Sequence, residues 1–297
     1  MKLSSTIVLL REELEEIQQK LEELVKISPV RYHDRHGGPF VIVGPPDYYF
    51  EKPIESQLRL QVDLKARYTQ WYERFLLIYH EPPSEVEKKI KKAHDQISSW
   101  IELDRNHQIT MNCEQNALES RRPFDSFFGL LDLLNDGEGV IVIPDTNALI
   151  TTPDPEDYQS VAERRDYIFM LMPTVLTELD RLSHFDRNEH LRDKAKKVIS
   201  RIKGWRNQGS LTSGVTVHKT VTVTAVAKEP DMENSLGWLD REIMDDRIIA
   251  SVLEIQNTHP SMAVILVTSD INLQNKAEAA KLPCAETPRQ IPLEKND

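Results

Sequence analysis

The sequence predicts an α/β protein in two parts, a helical N-terminal region over residues 1–136 and a parallel-sheet domain over residues 137–297. Three observations carry this prediction. Up to about residue 135 apolar residues recur at helical spacing. After Gly137-Glu138-Gly139 short β-branched runs alternate with helical patterns, as in a parallel sheet whose strands are buried on both faces. Two of those runs, in "VIVIPD" and "AVILVTSD", then end on a carboxylate, Asp145 and Asp270.

Composition narrows the function. With 39% hydrophobic and 29% charged residues among 297, the chain is too apolar for disorder and too charged for a membrane bundle. The apolar run Ile7–Leu10 stops at Arg11, short of a signal-peptide core or a span, so a cytoplasmic protein without membrane association is expected. Cys113 and Cys284 form no CxxC pair, which argues against a disulfide framework or a thiolate zinc site. A net charge of −11 argues against a general nucleic-acid coat, but not against an enzyme that grips nucleic acid locally and holds metal with its acids.

In chain order, Leu3, Ile7, Leu10, Leu14, Ile17, Leu21 and Leu24 follow a 4-3-4-3 rhythm with charges between them. The stripe fits either an amphipathic helix packed on its own chain or a coiled coil, which would make residues 3–27 a site of homo-oligomerisation or of a partner helix. Residues 31–53 read as a loop with one edge strand. His33, Asp34 and His36 lie close together there, yet nothing nearby completes a ligand set, and a polar loop is the reading. Helices are expected over 55–80 and 84–103, separated by the paired prolines of "EPP", and over 123–135. Trp71, Tyr72, Phe75, Leu76 and Tyr79 are the expected core.

The C-terminal half gathers acids. In open parallel sheets ligands bind outside the carboxyl ends of the strands, where Asp145 and Asp270 fall. A single such Asp is an ordinary turn or cap residue; two after unusually apolar strands are more than that. Glu178 follows in "MPTVLTELDRL", in or near the first turn of a helix opened by Pro173, where the plain reading is a helix-dipole partner. In "REIMDDRIIASVLEIQ", Asp246 shares the angular position of Ile249 and Leu253, beside the core stripe; Asp245 is nearly as well placed, and periodicity does not separate the two. Converging carboxylates at about 4 Å repel by about 1 kcal/mol in water and several-fold more when partly desolvated, a cost a divalent cation removes. Oxygen donors without Cys or His favour Mg²⁺ or Mn²⁺ over Zn²⁺. Thr146, Asn147 and Thr268 are candidates to hydrogen-bond and hold the carboxylates.

With "IPDTNALI", "MPTVLTELDRL", "DDRIIASVLEI" and "ILVTSDINLQNKA" in this order, roughly residues 138–290 resemble the PIN domain family of metal-dependent nucleases. The resemblance implies an α/β/α sandwich around a parallel sheet, with Asp145, Glu178, Asp246 and Asp270 as both the metal-binding and the catalytic set. Its register of Asp followed three residues later by an apolar helix residue selects Asp246 over Asp245. It further implies hydrolysis of nucleic acid, RNA in preference to DNA, with Asp145, Asp246 and Asp270 on the metal and Glu178 completing the site or orienting water.

The chain departs from the compact family pattern between Leu182 and Asp246. There "LRDKAKKVISRIKGWR" forms a helix exposing Lys194, Lys197 and Arg201, candidate phosphate contacts or a solvated face. A long strand-like stretch, "VTVHKTVTVTAVAKE", precedes a loop whose Trp238 is expected to pack into the core rather than stack on a base. No GxxxxGK[ST], GxGxxG, HExxH or GxSxG motif occurs, so nucleotide-hydrolase, dinucleotide-binding, zincin and serine-hydrolase readings lack support. Two other readings stand beside the nuclease: a regulatory or scaffold subunit assembling through its N-terminal helix, and a toxin-type ribonuclease silenced by a partner.

Overall fold

A computed structural model describes residues 4–33, 47–79, 81–104, 109–134 and 139–288. The chain divides into two compact units, one of residues 7–135 and one of residues 136–297 together with residues 1–6. The boundary expected at 136–137, the first residue of the leucine stripe (Leu3), and Asp34 and His36 lie outside the described residues.

The first unit is helical: α1 (Thr6–Ile27), α2 (Glu55–Ile78), α3 (Ser84–Ile101), α4 (Cys113–Arg121) and α5 (Phe124–Asp132). Its core explains the leucine rhythm. Ile7, Leu10, Leu14, Ile17, Leu21 and Leu24 are all buried, in one cluster with Leu64, Trp71, Phe75 and Phe127. The Trp71 indole N–H donates to Leu10 O at 2.8 Å, and ion pairs flank the seam, Lys20 to Asp63 at 3.0 Å and Arg74 to Glu13. The stripe that could have formed a coiled-coil seam is therefore covered within the chain's own unit.

Three readings of this unit are corrected. Leu76 is exposed, because the buried face of α2 runs through Leu64, Tyr68, Trp71 and Phe75, and Leu76 turns off it. The single edge strand is a two-stranded antiparallel ribbon, β1 (Val30–His33) with β2 (Asp47–Phe50), Val30 opposite Phe50. Helix α4 adds to the expected helices, and its cap signal is local: Asn112 Oδ1 accepts from the amides of Glu114 and Gln115 at 3.0 and 3.2 Å.

The second unit carries a six-stranded sheet in the order β5-β6-β4-β3-β7-β8, formed by β3 (Val140–Pro144), β4 (Tyr167–Leu171), β5 (Val215–Val217), β6 (Val221–Ala225), β7 (Ala263–Val267) and β8 (Cys284–Ala285). Every pairing is parallel except β5 with β6. Strands β3 and β7 are buried along their whole length, as runs without polar alternation require, and pair from Val140 opposite Ala263 to Pro144 opposite Val267. Between and after the strands come α6 (Thr146–Thr151), a 3₁₀ turn (Pro155–Tyr158), α7 (Gln159–Ala162), α8 (Pro173–Phe185), α9 (Glu189–Arg206), α10 (Met244–Thr258) and α11 (Ile271–Ala279). The long strand-like stretch folds back on itself as β5 and β6, because His218 and Lys219 take left-handed conformations (φ 50° and 68°) that turn the chain tightly. No helix among the described residues is long and apolar enough to cross a membrane.

Candidate active site

Asp145 stands where β3 ends and α6 begins. Pro144 has no amide to donate, so the ladder is carried one residue further by the Asp145 amide, which donates to Val267 O at 2.9 Å. Its side chain is the N-cap of α6, with Oδ1 accepting from the Ala148 amide at 2.6 Å. The other oxygen accepts from the Thr268 hydroxyl. Burial pushes the Asp145 carboxyl above the usual carboxylate range; the bonds from Thr268 and Ala148 oppose that rise, and the charges of Asp270 and Glu178 add to it.

Thr268 is fully buried just past β7, and its hydroxyl does double service, donating to Asp145 and accepting from the Asp270 amide at 2.9 Å. Asp270 in turn caps α11, its Oδ1 accepting from the amides of Asn272 and Leu273 at 2.8 and 3.3 Å. On the other side of Asp145, the buried Thr146 donates from its hydroxyl to Glu178 Oε2 at 2.5 Å. Glu178 lies in the second turn of α8, one turn later than expected, so a threonine hydroxyl rather than the helix N-terminus supports it. Arg181 Nη2 lies 3.8 Å from its Oε1. Two threonines thus tie Asp145, Asp270 and Glu178 into one network at the carboxyl ends of adjacent strands.

Asp246 enters by another route. In the first turn of α10 it is buried at 4% exposure, with Oδ2 accepting from the Asp240 amide at 2.9 Å and Oδ1 held by Lys276 Nζ at 2.6 Å. Asp245, on the more open side, lies 3.6 Å from the same ammonium. The Lys276 pKa is lowered by its partial burial and raised by Asp246 and Asp245, with a net rise. Lys276 belongs to α11, the helix that Asp270 caps; no reasoning from sequence singled it out, and an acid pair needing a counter-charge was the available signal.

The other expected residues divide. Asn147 is exposed, and the bonds to the acids come from Thr146 and Thr268 instead; at its position α6 has turned away from the sheet. Lys194 and Lys197 are exposed, whereas Arg201 is committed to Asp154 at 2.8 Å, which His218 Nε2 also approaches at 3.0 Å. Trp238 does not pack into the core: it is 47% exposed, in the loop whose Asp240 amide holds Asp246.

The donor set consists of hard oxygens suited to Mg²⁺ or Mn²⁺. Among the described residues no three His, Cys, Asp or Glu side chains already converge as a metal cage, since each acid is turned to a hydrogen-bond donor of its own. The raised pKa of Asp145 nevertheless reports crowded, desolvated negative charge of the kind a cation relieves. A family model described as PIN domain matches residues 142–287, a span that includes all four acids, and PIN domains are generally nucleases. No curated protein matches the chain.

Proposed function

We propose that the protein, whose residues 142–287 match the PIN domain family model, is a divalent-cation-dependent nuclease that hydrolyses phosphodiester bonds in single-stranded RNA. The observation that carries the reading is the network in which the Thr146 and Thr268 hydroxyls hold Glu178 and Asp145 at the mouth of the sheet, with Asp270 bonded to Thr268 through its amide. The choice of RNA over DNA rests on the family resemblance and on no residue of this chain.

In this reading Asp145, Asp246 and Asp270 would hold Mg²⁺ or Mn²⁺. The bound ion supplies charge for the departing oxygen and lowers the pKa of the attacking water. Asp145 is held by two donors, so its orientation is set before substrate arrives. Glu178, with a side chain 25% exposed, has solvent access and accepts a hydrogen bond from the attacking water. Lys194 and Lys197 offer exposed positive charge for a phosphate backbone in an acidic protein. Burial of Leu10, Leu14, Leu21 and Leu24 at 0–1% exposure weighs against a scaffold assembled through that stripe.

The test compares wild type with Asp145→Asn on end-labelled single-stranded RNA, single-stranded DNA and duplex DNA, in Mn²⁺, Mg²⁺ or EDTA. Cleavage that needs the ion, is lost in Asp145→Asn and prefers single-stranded RNA is expected. Equal inactivity of both proteins on every substrate would overturn the nuclease reading and favour a regulatory or partner-silenced subunit; cleavage of DNA alone would overturn the substrate class.

A further inference from the structure

Lys276 lies outside the acidic set, yet it pairs with one of its members. Its Nζ is 2.6 Å from Asp246 Oδ1 and 3.6 Å from Asp245 Oδ2. The two helices that carry these groups, α10 and α11, pack against each other, so backbone as well as side chains fix the contact. Both oxygens of Asp246 have a neighbour: the Asp240 amide donates to Oδ2 at 2.9 Å, and the ammonium lies 2.6 Å from Oδ1 in an ion pair that leaves this buried oxygen without a well-aligned hydrogen bond. An ion pair this close to a buried carboxylate is little screened by solvent. A further cation that uses Asp246 Oδ1 meets the ammonium already 2.6 Å from it.

We propose that Lys276 is the built-in counter-cation of Asp246 and sets the affinity of the acidic site for divalent cations by competing with them for Asp246 Oδ1. The proposal rests on the metal-dependent reading of the same site. It gives the site a rule of entry. An ion that gains only Asp246 replaces one favourable contact with another, whereas a divalent ion that also engages Asp145 and Asp270 relieves their mutual repulsion and wins the exchange. Arg181 supplies the comparison: it carries the same charge beside the same set, but 3.8 Å from Glu178 and 66% exposed, where a pair contributes little. Lys276 is a positioning residue in this account, acting through Asp246.

The experiment uses the full chain without substrate and titrates Mn²⁺, following loss of the free-ion electron paramagnetic resonance signal, in wild type, Lys276→Met, Lys276→Gln, Lys276→Arg and Arg181→Met. Lys276→Met and Lys276→Gln should bind Mn²⁺ severalfold more tightly than wild type. Both should melt at lower temperature in EDTA, because a buried carboxylate has lost its partner, and gain a larger increment in melting temperature from Mn²⁺. Lys276→Arg should keep the wild-type affinity, and Arg181→Met should change it less than either neutral variant at Lys276. If Lys276→Met does not fold, Lys276→Gln, which retains a donor, decides the matter. Equal or weaker Mn²⁺ binding in folded Lys276 variants would overturn the proposal alone and leave Lys276 a fastener between helices. Failure of every protein, wild type included, to bind Mn²⁺ would overturn the metal-dependent reading and this proposal with it.

Discussion

Replacing Thr268 by valine removes one hydroxyl and keeps nearly the same shape, so its effect isolates the bonds that the hydroxyl makes. The side chain is fully buried, donates to the desolvated Asp145 carboxylate, and accepts from the Asp270 amide. A hydrogen bond to a charged group contributes about 1.5–3 kcal/mol, and a buried acceptor left without its donor costs at the upper end of that range. Asp270 is only half-buried, so water recovers most of the loss at its amide. The expected destabilisation is therefore about 2–3 kcal/mol, or a fall of roughly 5–10 °C in melting temperature for a unit of this size. Calorimetry in EDTA measures it, with Thr268→Ser expected to recover most of the loss. On the proposed nuclease reading, cleavage in saturating Mn²⁺ should drop about 10–100-fold, the usual consequence of freeing a metal-binding carboxylate from its support. A Thr268→Val protein that melts within a degree of wild type and cuts at the wild-type rate would refute the reasoning.

Further expectations follow from burial and charge. Since burial raises the Asp145 pKa, its proton is held more tightly in the folded chain than in the unfolded one, so its ionisation costs stability as pH rises from the ordinary carboxylate range through the raised value. In EDTA, wild type should thus gain stability relative to Asp145→Asn as pH is lowered from neutrality into the ordinary carboxylate range, and Mn²⁺ should flatten the difference; parallel urea-midpoint curves would contradict this. Leu14→Ala, at 0% exposure, should cost about 2–5 kcal/mol in denaturant unfolding followed through the buried Trp71. A change in association without loss of stability would instead identify the stripe as an interface.

The sheet was legible because its strands are buried on both faces: Val140–Ile143 and Ala263–Val267 leave no polar alternation to confuse, and each hands the chain to a cap residue. The positions of Asp145 and Asp270 followed from strand ends alone. Asp246 needed the family register, because Asp245, about 100° round the helix, also borders the apolar face; burial separates them afterwards, with Asp246 inside and Asp245 on the open side. What sequence could not supply was partnership across distance. Nothing local says that Lys276 of α11 meets Asp246 of α10, or that Thr146 reaches Glu178. The hairpin of β5 and β6 was hidden for a related reason: its turn uses His218 and Lys219, not the Gly or Asn that announce left-handed residues. The leucine stripe was read correctly as a helix, but one amphipathic face fits a partner helix and a protein's own core equally well, and only the buried Trp71 and Phe75 beneath it decide for the core.

The double duty of Asp145 and Asp270 bears on how such a domain can decay. Each starts a helix by capping backbone amides, so the fold requires an acceptor at both places whether or not any chemistry takes place. Asparagine meets that structural demand while discarding the charge, and a lineage that dispensed with cleavage could drift to Asn at either position and keep a folded domain. Asp246 has no such substitute. Neutralised, it would leave the partly buried ammonium of Lys276 only the longer pair with Asp245 at 3.6 Å, so a change at either residue is felt by the other. If the proposed metal site holds, the joint state of Asp246 and Lys276 would be a more telling signature in a comparison of relatives than the more conspicuous aspartates at the strand ends.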